Sequence, residues 1–297
     1  PDRADALATA VGAKVMTDPR AAIQRSDIDA VVIASPDFTH APLSLACIEA
    51  RKPVLCEKPL SQSSAECHRV IEAEMASGRR WVQLGFMRRY DRAYAQMKSA
   101  LTQGRIGRAL MMHNFHRNVE TPAADFTGAM AITNSAPHEF DVVRFVLDTE
   151  YAAVTAFQPK RSDALVAPVV MMLETVDGQL VTIEINNNAA YGYDVRGELV
   201  GEAGSVQMVS PAQTLLDAAL AQSAAYDADW RARYAEAYRQ QNKDFLRFVT
   251  NGDFPAIASD CWDGLAAAQV AEAGVRALKE GQRIAIPATP RPAFYAR

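Results

Sequence analysis

From its first residue to the end of "WVQLGFM" (81–87) the chain switches repeatedly between two hydrophobic rhythms. Continuous apolar runs of strand length, "DAVVIAS" (29–35), "PVLCE" (53–57) and "WVQLGFM", stand between helix-like stretches. "DRADALATAV" reads as a helix, "AKVMT" as a short strand, and "DPRAAIQRS" as a helix with Asp18 as N-cap and Pro19 at its first position. "THAPLSLACIEAR" is a third helix, and "SQSSAECHRVIEAEMASG" a longer one that Gly78 ends. Strands this continuous are buried on both faces, and their alternation with helices predicts a parallel sheet of the doubly wound α/β kind.

Beyond a helix near 91–103 the rhythm changes. Strand patterns then follow one another with little helix between: "LMMHNFHR" (110–117), "YAAVTAFQ" (151–158), "PVVMMLET" (168–175), "QLVTIEIN" (179–186) and "YDVRGELVGEAGSVQMV" (193–209). One helix, "APHEFDVVRFVLD" (136–148), interrupts them. The expectation is a Rossmann-type α/β domain over 1–85, then an α+β domain over 86–297 with an open, mainly antiparallel sheet. Two helices close the chain; in the later one Leu265, Ala268, Ala271, Val275 and Leu278 share a face.

Composition narrows the classes. The 297 residues carry a net charge of -4, with no basic run, which argues against a nucleic-acid binder or a polybasic membrane anchor. No apolar stretch is long enough for a spanning helix. The four cysteines, Cys47, Cys56, Cys67 and Cys261, show no C-x-x-C spacing, so neither a metal site nor a disulfide framework is expected, and a cytoplasmic setting is the simplest reading.

The chemistry concentrates where apolar strands end. "VLCEKPL" (54–60) runs a buried strand into a glutamate, a lysine and a proline. In open α/β sheets ligands bind beyond the strands' carboxyl ends, so Glu57, Lys58 and Pro59 mark a site rather than a surface turn. A cis Lys58–Pro59 bond is expected there. His138, near the start of the 136–148 helix, is a second candidate, against a histidine that merely caps the helix. His113 and His116 lie three apart on one strand, and opposite faces for the two are expected only if one is bulged.

"CEKPL" at a strand end, "GFMRRYD" after the next strand and "PHEFDVVRF" further on resemble, in that order, the glucose–fructose oxidoreductase / inositol dehydrogenase / MocA family, and within it the NAD-dependent inositol 2-dehydrogenases. The resemblance runs through "YGYDVRGELVGEAG" to "PAFY", nearly the whole chain. It implies oxidation of a secondary hydroxyl of inositol, or of a similar cyclic polyol, to a ketone, with NAD as hydride acceptor. It places Lys58 and His138 in proton transfer, and Arg88, Asn118, Asn134 and Tyr193 against substrate. "FHRN" resembles the family's substrate-side strand, which includes His116, although a satisfied strand histidine is an equal reading. Ser35, Pro36 and His40 of "ASPDFTH", with Glu57 and Lys58, are the expected cofactor contacts. The resemblance also implies a homotetramer, in keeping with the apolar residues that "VVMML" and "VTIEI" place on both sheet faces.

Two departures stand out. Four residues before His138 the inositol dehydrogenases usually carry an aspartate; here it is Asn134, which can hydrogen-bond but cannot take a proton. A simple N-cap is the alternative role for it. The chain also contains no G-x-G-x-x-G, and the family pattern would place the first strand, phosphate turn, first helix and second strand, about 35 residues in all, upstream of Pro1. NAD over NADP therefore rests on the resemblance. Two alternatives remain open: an NAD(P)-dependent sugar or sugar-acid oxidoreductase, and a non-catalytic binding protein on the same fold.

Overall fold

The computed structural model describes residues 2–119, 125–163, 165–209 and 215–296. Its first part is a parallel sheet of three short strands, β1 (Val31–Ile33), β2 (Val54–Cys56) and β3 (Val82–Leu84), in that order. Helices α1 (Asp2–Val11), α2 (Pro19–Ile23), α3 (His40–Glu49) and α4 (Ser64–Ala76) alternate with them as the pattern predicts. Asp18 caps α2 by accepting from the backbone N–H groups of Arg20 and Ala21, with Pro19 at the first position. Gly78, at φ +73°, follows the end of α4. Every residue of β2 and β3 is buried.

Two expectations fail here. "AKVMT" forms no strand: Val15 and Met16 stay 42% and 43% exposed, and no neighbour among the described residues supplies the ladder bonds an extended segment needs. Nor is β1 buried on both faces. It is an edge strand, and Val32 is 63% exposed.

After α5 (Arg92–Thr102) the chain builds a seven-stranded sheet. Its strands are β4 (Ala109–Arg117), β5 (Tyr151–Phe157), β6 (Val169–Thr175), β7 (Leu180–Asn186), β8 (Asp194–Gly201) and β9 (Gly204–Gln207). A small exposed hairpin, β10 (Leu216–Ala218) and β11 (Ala221–Ser223), stands apart, and β12 (Ile284–Ala285) completes the sheet. The order is β12-β5-β6-β7-β4-β8-β9, antiparallel throughout except for the β4·β7 pair. Along β4, Met112, Asn114 and His116 are buried, whereas His113 meets Thr182 on the other face; the strand is regular from His113 to His116, so no bulge is needed, because side chains three apart on a strand already alternate.

Between β4 and β5, a short turn α6 (Gly128–Met130) widens into a π-helical turn over Ala131–Ser135, which leads into α7 (Pro137–Leu147). The chain closes with α8 (Trp230–Asn251) and α9 (Cys261–Glu280). Helix α9 packs on α4 of the first sheet and on β5 of the second. A Cβ on Gly264 would stand 2.7 Å from Leu84 and 2.8 Å from Leu60. The closing helix thus lies directly against the strand and turn that carry Lys58. One contiguous apolar core runs from Ile23 to Tyr295, so the two sheets are joined by packing as well as by chain. Buried ion pairs fasten the same seam: Arg89 reaches Asp141 at 2.5 Å and Asp263 at 3.0 Å, and Arg144 reaches Asp263 at 3.0 Å. No described helix is long and apolar enough to cross a membrane.

Candidate active site

The turn that follows β2 meets the end of β4, the π-turn and α7 around a cavity of about 900 Å³. Lys58, Asn118, Asn134, His138 and Tyr193 all line it, although they come from five separate segments. Sequence reasoning assigned each of them to the site.

Lys58 ends the turn after β2, and its peptide bond to Pro59 is cis, as expected. Its Nζ donates to the main-chain carbonyl of Asn134 at 2.7 Å, joining the two sheets across the cavity wall. Burial lowers the Lys58 amine below its ordinary value, and Arg88 adds to this against the opposing pull of Asp37, Glu57 and Glu139. A lysine in that state can accept a proton. Glu57 stands beside it, tucked against Gly85, and burial raises its carboxyl despite Lys58.

His138 is the second residue of α7, behind Pro137. Its ring meets Phe86 edge-on at 6.2 Å and His116 at 6.5 Å. Its Nδ1 has no hydrogen-bond partner among the described residues. The helix-cap role does not apply, since Ala136 holds the capping position of α7. Burial, then the charges of Lys58 and Arg88 and the nearby His116, hold His138 well below the ordinary imidazole range, so the ring is neutral.

His116 also lines the cavity. Its Nδ1 lies 3.1 Å from Glu139 Oε2, and Asn118 Nδ2 lies 3.3 Å from its Nε2. A carboxylate only accepts, which assigns the proton to Nδ1 and leaves Nε2 to accept from Asn118. Burial keeps this ring neutral as well, against the pull of Glu139. The other oxygen of Glu139 takes Arg88. Burial alone would raise the Glu139 carboxyl, but Arg88 and His116 hold it below the usual value.

Two residues sit elsewhere than expected. Arg88 does not line the cavity: it is 1% exposed, paired to Glu139 behind the wall. A guanidinium so enclosed sets the local charge but cannot reach substrate. His40 is buried too, with Nδ1 2.7 Å from the Pro59 carbonyl and Nε2 2.8 Å from that of Ser35. Each ring nitrogen thus faces a backbone carbonyl, so His40 stands between the two strand-end turns and does not line the cavity. Ser35 and Pro36 do stand exposed on the ledge beyond β1. Asn134 is no N-cap, for it lies within the π-turn, and Ala136 occupies the capping position of α7.

Residues the sequence did not single out complete the wall. Ser135, Tyr191, Trp230 and Tyr238 line the cavity, and Gln62 contacts Asn134 from its rim. Glu139 could have been suspected from its place beside His138; the aromatics of α8, far along the chain, carry no local signal. No group of three metal-ligating side chains occurs among the described residues.

The ledge outside the carboxyl ends of β1 and β2 has the form that receives a dinucleotide in such folds, with exposed Ser35 and Pro36, half-buried Glu57 and Lys58 at its inner end. Lys58, with its pKa lowered by burial, and the neutral ring of His138 both line the adjoining cavity and suit an alcohol at that inner end.

Comparison with known proteins agrees with this geometry. Residues 1–86 match an oxidoreductase family with an NAD-binding Rossmann fold, and residues 94–207 match the GFO/IDH/MocA C-terminal domain. Inositol 2-dehydrogenase 1 of Saccharopolyspora erythraea is 44% identical over 99% of this chain and 88% of its own length. Inositol 2-dehydrogenase of Pseudomonas savastanoi is 39% identical over 96% of this chain and 85% of its own. The crystal structure of myo-inositol dehydrogenase from Lactobacillus casei, in complex with NAD(H) and myo-inositol, superposes with a TM-score of 0.94 at 29% identity, covering 99% of this chain and 89% of that one. Fold, wall residues and relatives converge: the chain belongs to the glucose–fructose oxidoreductase / inositol dehydrogenase / MocA family of oxidoreductases.

Proposed function

We propose that this protein is an NAD-dependent dehydrogenase that oxidises a secondary hydroxyl of inositol, myo-inositol first, to the ketone. The observation that carries the reading is a lysine whose pKa burial lowers beside a neutral histidine, both on the wall of one polar cavity. Removing a carbinol hydrogen as hydride requires that the hydroxyl proton leave with it. Lys58, as the free amine, takes that proton. His138, neutral, holds the same oxygen and moves a proton with Lys58. Asn118, Tyr193 and His116 hold the remaining ring hydroxyls, and Glu139 fixes the His116 tautomer. NAD, held by Ser35, Pro36, Glu57 and Lys58, supplies the hydride acceptor. The turn tied by His40 keeps these groups in register.

The reading extends to organisation. Residues 1–85 serve as the dinucleotide unit and 86–297 as the substrate and assembly unit, in a cytoplasmic enzyme of polyol catabolism. Phe157 pairs with Val170 across the open face of the large sheet, with Met172 and Leu180 beside them, all substantially exposed. A homotetramer would cover this face, and a monomer by light scattering would count against it. Asn134 in place of the usual aspartate is the one observation that favours a sugar or sugar acid as substrate instead. The test is NADH formation from NAD and a panel of inositols and sugars. Turnover of myo-inositol well above glucose supports the reading, and turnover confined to sugars supports the second.

A further inference from the structure

Asp37, Gln62 and Asn134 form a short chain of polar contacts at the rim of the cavity. Asp37 belongs to the turn after β1, Gln62 follows the Pro59 turn, and Asn134 stands in the π-turn across the cavity. Gln62 Nε2 lies 3.0 Å from Asp37 Oδ2 and 3.0 Å from Asn134 Oδ1. A carboxylate has no hydrogen to give, so the end of Gln62 that faces Asp37 must be its nitrogen. The second hydrogen of that nitrogen goes to Asn134, which must therefore turn its oxygen outward. Thr133 Oγ1 meets the same oxygen at 3.0 Å. The main-chain carbonyl of Asn134 is already taken by Lys58. What this wall residue has left for the cavity is its amide nitrogen, which has no partner among the described residues.

We infer that Asn134 is a hydrogen-bond donor to the reacting oxygen of the substrate, and that Asp37 and Gln62 are positioning residues that fix its amide in the donating orientation. The inference rests on the reading of the cavity as a polyol oxidation site. An aspartate in this position would accept a hydrogen bond from a hydroxyl; the amide gives one. A hydroxyl can adapt to either, because it both donates and accepts, but a ketone oxygen only accepts. The site is thus matched to the oxidised partner of the pair, and the affinity ratio of ketone to alcohol is the property that Asn134 sets.

Asn134→Asp tests this atom, because an aspartate can keep the contacts from Gln62 and Thr133 on one oxygen and replaces the donor that faces the cavity with a charged acceptor. Binding is measured by calorimetry on the full-length protein in complexes that cannot turn over: 2-keto-myo-inositol with NAD, and myo-inositol with NADH. The variant is expected to lose about tenfold or more in affinity for the ketone while its affinity for the alcohol changes by less than about threefold. Gln62→Leu, which frees the amide to rotate, should lose part of the ketone affinity and little of the alcohol affinity. Equal ketone binding by wild type and Asn134→Asp, or equal loss of both ligands, overturns the inference and leaves the polyol reading standing. A wild-type protein that binds neither ligand overturns both.

Discussion

Lys58 Nζ and the main-chain carbonyl of Asn134 lie 2.7 Å apart although 76 residues separate them in the chain. The bond sets the lysine between the strand-end ledge of the first sheet and the substrate wall of the second. A base for alcohol oxidation must reach both the hydroxyl and the carbon that loses hydride, and this is the junction where the two would meet.

Replacing Lys58 with Ala or Met should reduce turnover of myo-inositol by about 10³-fold with the fold intact, since a lone general base contributes 10²–10⁴ in rate. Steady-state NADH formation together with circular dichroism reads both quantities. A folded Lys58→Ala variant with wild-type turnover would end the proposed mechanism.

The lowered pKa of Lys58 has a kinetic consequence. Its amine must be neutral to accept a proton, so kcat/KM for alcohol oxidation should rise with pH and level off at a midpoint below the ordinary lysine value of 10.5. A pH–rate profile at saturating NAD shows that midpoint. A rise centred at 10.5 or above would contradict the assignment.

Stability should depend on pH through His138 and His116. The unfolded chain protonates each near 6.5, whereas the folded protein, with both pKa values lowered, does so only at lower pH. The unfolded state therefore binds more protons below 6.5, and stability falls as pH falls, by at most about 1.4 kcal/mol per pH unit for each histidine. The Glu139 contribution, with its carboxyl held below 4.5, persists through this window and is lost only further down. Urea midpoints across the range should show a slope that is shallower in His138→Gln; an unchanged slope would mean that the ring is protonated in the folded state.

The Arg88–Glu139 pair, 1% and 0% exposed, differs in kind from the exposed Arg108–Glu202 pair. Glu139→Gln leaves a buried guanidinium short of its counter-charge and should cost about 3–5 kcal/mol in chemical denaturation. Glu202→Gln should cost under about 1 kcal/mol. Comparable losses from the two would show that Arg88 is solvated in solution.

Much of this arrangement could be read from the chain, and the boundary of what could is physical. Continuous apolar runs marked β2 and β3 because both faces of those strands are buried, and the strand-end position of Glu57, Lys58 and Pro59 marked the site. Local pattern could not show that "AKVMT" lacks a neighbour to pair with, or that β1 lies at an edge. Arg88 looked like a substrate ligand because the family resemblance places it against substrate; only the fold reveals Glu139 and His116 enclosing it. His40 lies in the expected turn, but its ring nitrogens face the carbonyls of Ser35 and, 19 residues away, Pro59, which local pattern does not show. The Gln62–Asn134 contact spans 72 residues and follows no periodicity at all.

Helix α9 supports the site from behind. Gly264→Ala would drive a Cβ against Leu60 Cβ at 2.8 Å, beside the turn that carries Lys58. Overpacking of this kind typically costs about 1–3 kcal/mol, and displacement of the turn should raise KM for NAD and lower kcat together. Thermal unfolding and initial rates measured on the same variant would check this, and unchanged kinetics would show that the turn is held independently of α9.

The most direct test of the central claim follows the hydride itself. Myo-inositol carrying deuterium at the oxidised carbon is incubated with NAD and the full-length protein, and the cofactor is weighed by mass spectrometry. The account predicts that the label moves to the reduced cofactor, in step with formation of the ketone, and that Lys58→Ala prevents both. Label that stays on the polyol, or that is released to water, would contradict it.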